Sequence, residues 1–141
     1  LREGILLVLE MKEDDVNKFV TVADQCFLQG KLSSSCVVPA LQDPLEFLRD
    51  IEIDAPRASE FLARILAKWR TVEYYNEPIV MLECLLKAPE YFLSDGRPAE
   101  FCAQVVKARG TGVTDADIKV VRQLLGDEAI DAREFVESRL L

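Results

Sequence analysis

Apolar positions recur three and four residues apart along most of this chain, and that spacing predicts helices. Ile5, Leu6, Leu7, Val8 and Leu9 open the pattern, so residues 1–11 read as a helix buried on most sides. Glu13-Asp14-Asp15 follow as an N-cap and first-turn carboxylates, suited to the positive end of a helix dipole. Val16, Phe19, Val20, Ala23, Cys26 and Phe27 then lay down one amphipathic face, and Gly30 stands where a C′ glycine ends a helix. Ser33-Ser34-Ser35 offer a cap for the next helix, which runs toward Asp50. Pro39 is tolerable in its first turns. Pro44 predicts a kink or break, because it removes a backbone donor and clashes with the preceding turn.

Beyond that point the helical spacing continues. Residues 57–70 place Ala58, Phe61, Leu62, Ile65, Leu66 and Trp69 inward. Ile79-Val80-Met81-Leu82 and Cys84-Leu85-Leu86 are apolar nearly all round, which predicts a central helix between Pro78 and Pro89. Tyr91-Phe92-Leu93 read as a short packed turn. Pro98 opens a helix with Phe101, Cys102, Val105 and Val106 inward, and Gly110-Thr111-Gly112 form a loop. Thr114 caps a helix of Ile118, Val121, Leu124 and Leu125 that Gly126 ends, and a last helix carries Ile130, Phe135, Val136 and Leu140. About eight helices with short connections and no convincing strand predict an all-α array of antiparallel helical hairpins, a short HEAT-like or armadillo-type α-solenoid. No clean sequence repeat accompanies it.

Composition narrows the classes. The chain has 141 residues, half of them apolar, enough for one domain with a proper core. No apolar run is long enough to span a bilayer. Leu1 is not an initiator Met and the first residues resemble the middle of a helix, so the chain reads as a piece of a longer protein. A net charge of −8 argues against direct nucleic-acid binding and favours basic protein partners. The acid is uneven: residues 1–60 carry 12 Asp/Glu against 6 Lys/Arg (net −6), residues 61–141 carry 13 against 11 (net −2). Cys26, Cys36, Cys84 and Cys102 lie among apolar neighbours without a C-x-x-C pair, which reads as reduced, buried thiols in the cytoplasm or nucleus.

Candidate catalytic chemistry is thin. The chain contains no His, so the commonest general base and the usual triads are missing, and a zinc site would need all four cysteines. Gly110-Thr111-Gly112 lacks both the P-loop lysine and dinucleotide spacing. No enzyme activity, metal or cofactor is expected. The stretch that stands out is Asp50-Ile51-Glu52-Ile53-Asp54-Ala55-Pro56, an acidic corner between two helices. Its alternation predicts buried isoleucines anchoring the turn and neighbouring carboxylates presented outward. Two readings fit it. In one, Asp54 merely caps the helix that begins near Pro56 and Arg57. In the other, the corner docks something basic.

Ile-Glu-Ile-Asp-Ala-Pro-Arg-Ala (51–58), then Phe61-Leu62-Ala63-Arg64-Ile65-Leu66, resembles the signature end of an MA3 domain, and Gly30-Lys31-Leu32-Ser33 resembles that family's typical turn. The resemblance covers residues 1–70 as a partial MA3 repeat lacking its first helices. Residues 71–141 are more loosely similar to the helical extension that follows the repeat in the translation initiation factor 4-gamma family. Pro39 and Pro44 depart from the family pattern. The resemblance implies a cytoplasmic protein-interaction scaffold of translation initiation that binds and modulates the DEAD-box RNA helicase, initiation factor 4-alpha. It implies contact through Asp50 and Asp54, with Pro56 shaping the turn; local placement adds Glu52 and Arg57. The competing expectations are a helical adaptor in splicing or trafficking, which would bind through an apolar groove, and an MA3-type translation inhibitor.

Overall fold

A computed structural model describes residues 1–32, 37–70, 98–110, 112–126 and 129–141. The ordered elements among them are all helices: α1 (Arg2–Val8), α2 (Glu13–Leu28), α3 (Val37–Glu46), α4 (Leu48–Asp54), α5 (Ala58–Arg70), α6 (Pro98–Arg109), α7 (Asp115–Leu125) and α8 (Ala132–Leu140). The expected helix over 79–87, the 91–93 turn, the Ser33-Ser34-Ser35 cap, the Trp69 side chain, Thr111, Cys36 and Cys84 lie outside the described residues.

The helix ends follow from local chemistry. α2 stops in a Schellman arrangement, with Gly30 N–H donating to Phe27 O (3.1 Å) and Lys31 N–H to Cys26 O (2.9 Å). Gly30 sits at φ 74°, which glycine adopts without a Cβ penalty. At its start the N-cap is Lys12 rather than one of the acids: Glu13, Asp14 and Asp15 fill the first turn, and the Asp15 carboxylate accepts from Lys12 N–H (3.3 Å). Thr114 and Asp117 close a full capping box on α7, Asp117 N–H donating to Thr114 Oγ1 (3.2 Å) and Thr114 N–H to Asp117 Oδ2 (2.9 Å). Pro44 does not break α3 at its own position. The helix continues to Glu46, and the chain leaves helical geometry at Phe47 before α4 begins.

The helices pack through the predicted faces. Val16, Val20, Ala23 and Phe27 of α2 are buried, with Phe19 and Cys26 half-buried. α1 is less enclosed than its composition suggests: Ile5, Val8 and Leu9 are buried but Leu7 is exposed, because α1 packs on α2 and α3 from one side. Its approach to α2 is close at Gly4, where a Cβ would lie 2.6 Å from Phe19 Cε2. α5 contacts α2, α4 and α6, and α6 continues to α7 and α8. α6 is therefore buried almost all round, through Pro98, Ala99, Phe101, Cys102, Ala103, Val105 and Val106. Ile130, expected inside the last helix, precedes it and is exposed; Asp131 caps that helix by accepting from Glu134 N–H (3.0 Å).

The α6–α7 connection encloses a buried ion pair that periodicity does not announce. Arg109, at the end of α6, donates from its two Nη atoms to Asp117 Oδ1 (3.1 Å) and Oδ2 (2.6 Å). The side chains are 2% and 0% exposed, and Arg109 also donates to Gly112 O. Gly110 and Gly112 take positive φ (73° and 79°), a region open to glycine. Two parallel hydrogen bonds give such a pair directional strength, and removing one partner strands a buried charge.

Asp117→Ala is expected to lower the unfolding free energy by about 3–5 kcal/mol in urea denaturation. Arg109→Met combined with Asp117→Leu should recover part of that loss, since neither charge then remains buried. Gly4→Ala is expected to cost about 1–3 kcal/mol in the same assay, and combining it with Phe19→Leu should recover part by removing the ring edge that the new methyl meets.

Candidate functional site

The acidic stretch is not a turn. Residues 48–54 form α4, so successive side chains step around a helix instead of alternating between two sides. Asp50 and Asp54 fall four apart and share one face; Glu52 points away from them. The exposed face also carries Phe47 and Ile53, at 47% and 76% exposure. The expected pair of isoleucine anchors is therefore only half present. Ile51 packs against the core and Ile53 does not, because Leu48, Ile51 and Ala55 supply the inward face. Ala55 ends α4 at φ −129° and ψ 82°, the extended region to which a residue before proline is driven. Pro56 and Arg57 are exposed in the turn closed by Ala58 N–H donating to Ala55 O (3.0 Å).

Among the described residues, no hydrogen bond or ion pair engages the carboxylate of Asp50 or Asp54, both of which are exposed. Glu52 is half-buried and holds a contact of its own. The local electrostatics leave this face uncompensated. Two like charges four apart on a helix repel, and Asp54 sits at the C-terminal end, where the dipole is negative.

Arg57, expected beside the docking acids, is drawn away from them. Its Nε donates to Glu60 Oε2 (3.0 Å) and its Nη2 to Glu60 Oε1 (2.9 Å), with Glu13 Oε2 at 3.5 Å. Arg64 completes a four-membered cluster, donating to Glu13 Oε1 (2.8 Å) and Glu60 Oε1 (3.3 Å). Both guanidinium groups lie over Phe61, 4.9 and 5.9 Å from the ring centroid, which adds a cation–π attraction. The hydrogen bond from Arg57 holds the Glu60 carboxyl below its usual range against a smaller opposing effect of burial, and the Arg64 charge adds to the lowering. The bond to Glu60 correspondingly pushes the Arg57 guanidinium higher still. Spacing through the start of α5 could have revealed Arg57, Glu60 and Arg64 as one stripe at i, i+3 and i+7. Glu13 arrives from α2, and only tertiary packing places it there.

A groove of about 290 Å³ opens between the α1–α2 turn and the α4–α5 turn, lined by Leu9, Met11, Pro56 and Phe61 together with the charged Glu10, Lys12, Asp54 and Arg57. A larger hollow of about 510 Å³ lies between α5 and α6, bounded by Glu60, Ala63, Arg64, Gln104 and Lys107. No cluster of three His, Cys, Asp or Glu side chains among the described residues is arranged to hold a metal ion. Of the described cysteines, Cys26 is half-buried and Cys102 is buried. No described helix is long and apolar enough to cross a membrane. Comparison with protein-family models, with curated proteins and with solved structures finds no match to this chain.

The ion cluster makes stability depend on pH in one direction. Glu60 has a folded-state pKa below its ordinary 4.5, so its contribution is present above 4.5 and is lost as pH falls through the folded value. The melting-temperature gap between the wild-type chain and Glu60→Gln should close on acidification from pH 7 to pH 3. It should also narrow at high salt, because the partners are about half exposed.

Proposed function

We propose that this chain is a protein-interaction scaffold that docks a DEAD-box RNA helicase of translation initiation, initiation factor 4-alpha, through Asp50 and Asp54. In this reading residues 1–70 act as an MA3-like repeat, built as a HEAT-like array of helical hairpins, and residues 71–141 extend it. The single observation that carries the reading is the pair of exposed carboxylates four apart on α4, left without partners while nearby Glu13 and Glu60 are fully engaged. A short helix bearing two like charges, one at its unfavourable end, is better stabilised when an external cation arrives. The resemblance of residues 51–66 to the MA3 signature supplies the partner's identity.

The mechanism is recognition without chemistry on this chain. Helicase Arg or Lys side chains meet Asp50 and Asp54 in charge-assisted hydrogen bonds, bidentate where the donor is Arg. The helix holds both acids in place before contact, which lowers the ordering cost of binding. Docking at this face biases how the helicase lobes close on RNA and ATP.

A second reading, an adaptor of splicing or trafficking that binds through apolar contacts, is favoured by the exposure of Phe47 and Ile53 on the same face. Salt separates the two, since charge-steered association weakens with ionic strength and apolar docking does not.

Asp50→Lys with Asp54→Lys is expected to abolish helicase binding in a pull-down while leaving the helical circular dichroism unchanged. Undiminished binding by that variant overturns the reading. Binding that ignores salt and is lost on Phe47→Ser with Ile53→Ser selects the apolar adaptor instead.

A further inference from the structure

We infer that the cluster of Glu13, Arg57, Glu60 and Arg64 holds Arg57 off Asp54, leaving the groove beside Asp54 open to a basic side chain of the partner. The inference rests on the docking role of Asp54 and adds the device that keeps this acid available.

Asp54 and Arg57 are three residues apart and line the same groove. A free arginine there is the natural neutraliser of Asp54. It is withdrawn by two acids from different elements: Glu60, one turn along on α5, accepts both the Nε and the Nη2 hydrogens, and Glu13 on α2 stands 3.5 Å from Nη2. Arg64 anchors the acids in turn, 2.8 Å from Glu13 and 3.3 Å from Glu60. The Phe61 ring beneath both guanidinium groups fixes their height above the core. The two cations and two acids balance one another, so the cluster contributes no net charge to the groove.

The other charged residues lining the groove are Asp54 and Glu10 against Lys12. Leu9, Met11, Pro56 and Phe61 supply its apolar lining. A lining that combines apolar side chains with carboxylates matches a side chain with an aliphatic stem and a cationic tip, which is the chemistry of lysine and arginine. About 290 Å³ accommodates one such side chain. The occupant is therefore a single basic residue on a protein surface. Arg57 acts as a positioning residue, through its absence from Asp54, rather than as a contact.

The test is a binding series with the helicase. Glu13→Gln with Glu60→Gln releases Arg57 to Asp54 and should weaken binding by about fivefold or more. Adding Arg57→Gln to that pair should restore wild-type affinity, a rescue that a merely structural role of the cluster does not produce. Glu3→Gln with Glu134→Gln, the same charge change away from the groove, should leave affinity within about twofold of wild type. If Asp54→Asn weakens binding and Glu13→Gln/Glu60→Gln does not, the inference falls and the docking reading stands. If Asp54→Asn has no effect, the docking reading falls. The release of Arg57 is then read directly by NMR: in Glu13→Gln/Glu60→Gln the Arg57 Nε–H signal should stay protected from exchange, and Asp54→Asn should abolish that protection. Protection that ignores Asp54 overturns the inference as well.

Discussion

Burial of α5 is the constraint on which the rest of the described structure depends. This helix contacts α2, α4 and α6, so it joins the first helices to the last. Phe61, Leu62, Ile65 and Leu66 are enclosed, and each fully buried large apolar side chain contributes about 1.5–3 kcal/mol. Ala58, Ala63 and Ala67 are buried as well, and their small side chains allow neighbours to approach from more than one side. Glu60 and Arg64 are on α5 and Arg57 is just before it, and the three form an ion cluster because Glu13 of α2 is brought against them.

The acidic face of α4 takes its meaning from that cluster. Most of the charge around the corner is internally balanced, and the balance is geometric: acids and bases meet at 2.8–3.5 Å across two helices. Asp50 and Asp54 stand outside it, on a helix too short to dilute their repulsion. A different ionic solution operates at the far end, where Arg109 and Asp117 are withdrawn from solvent and satisfied by each other and by the α7 cap. One pair fixes how α6 meets α7. The other arrangement leaves two charges exposed beside Phe47 and Ile53.

Much of the helical content is legible before any tertiary contact is considered. The face of Val16, Val20, Ala23 and Phe27, the Gly30 stop, the inward set on α5, the Pro98 start of α6 and the Thr114 cap all follow from periodicity and from end groups whose chemistry is local. The acidic stretch was less legible for a specific reason. Asp-Ile-Glu-Ile-Asp has the period of a strand or an extended turn, yet the flanking Leu48 and Ala55 let seven residues wind as α4, and Ile53 went outward. Ile130 misled in the same way, as an apolar residue just ahead of a helix whose cap is Asp131.

The sequence by itself determined the apolar faces of most described helices and some of their ends, such as the Gly30 stop and the Thr114 cap, because these depend on neighbours within about one or two helical turns. Only the tertiary structure decided which charges are spent. Glu13 and Arg64 are 51 positions apart, and no local rule relates them. Arg109 and Asp117 carry residue types that ordinarily face water, and they are buried where α6 packs against α7. Which acids are engaged and which face solvent is decided in the same way. The composition of Asp50 and Asp54 is unremarkable among 25 carboxylates, and it is packing that engages Glu13 and Glu60 elsewhere and leaves these two facing solvent.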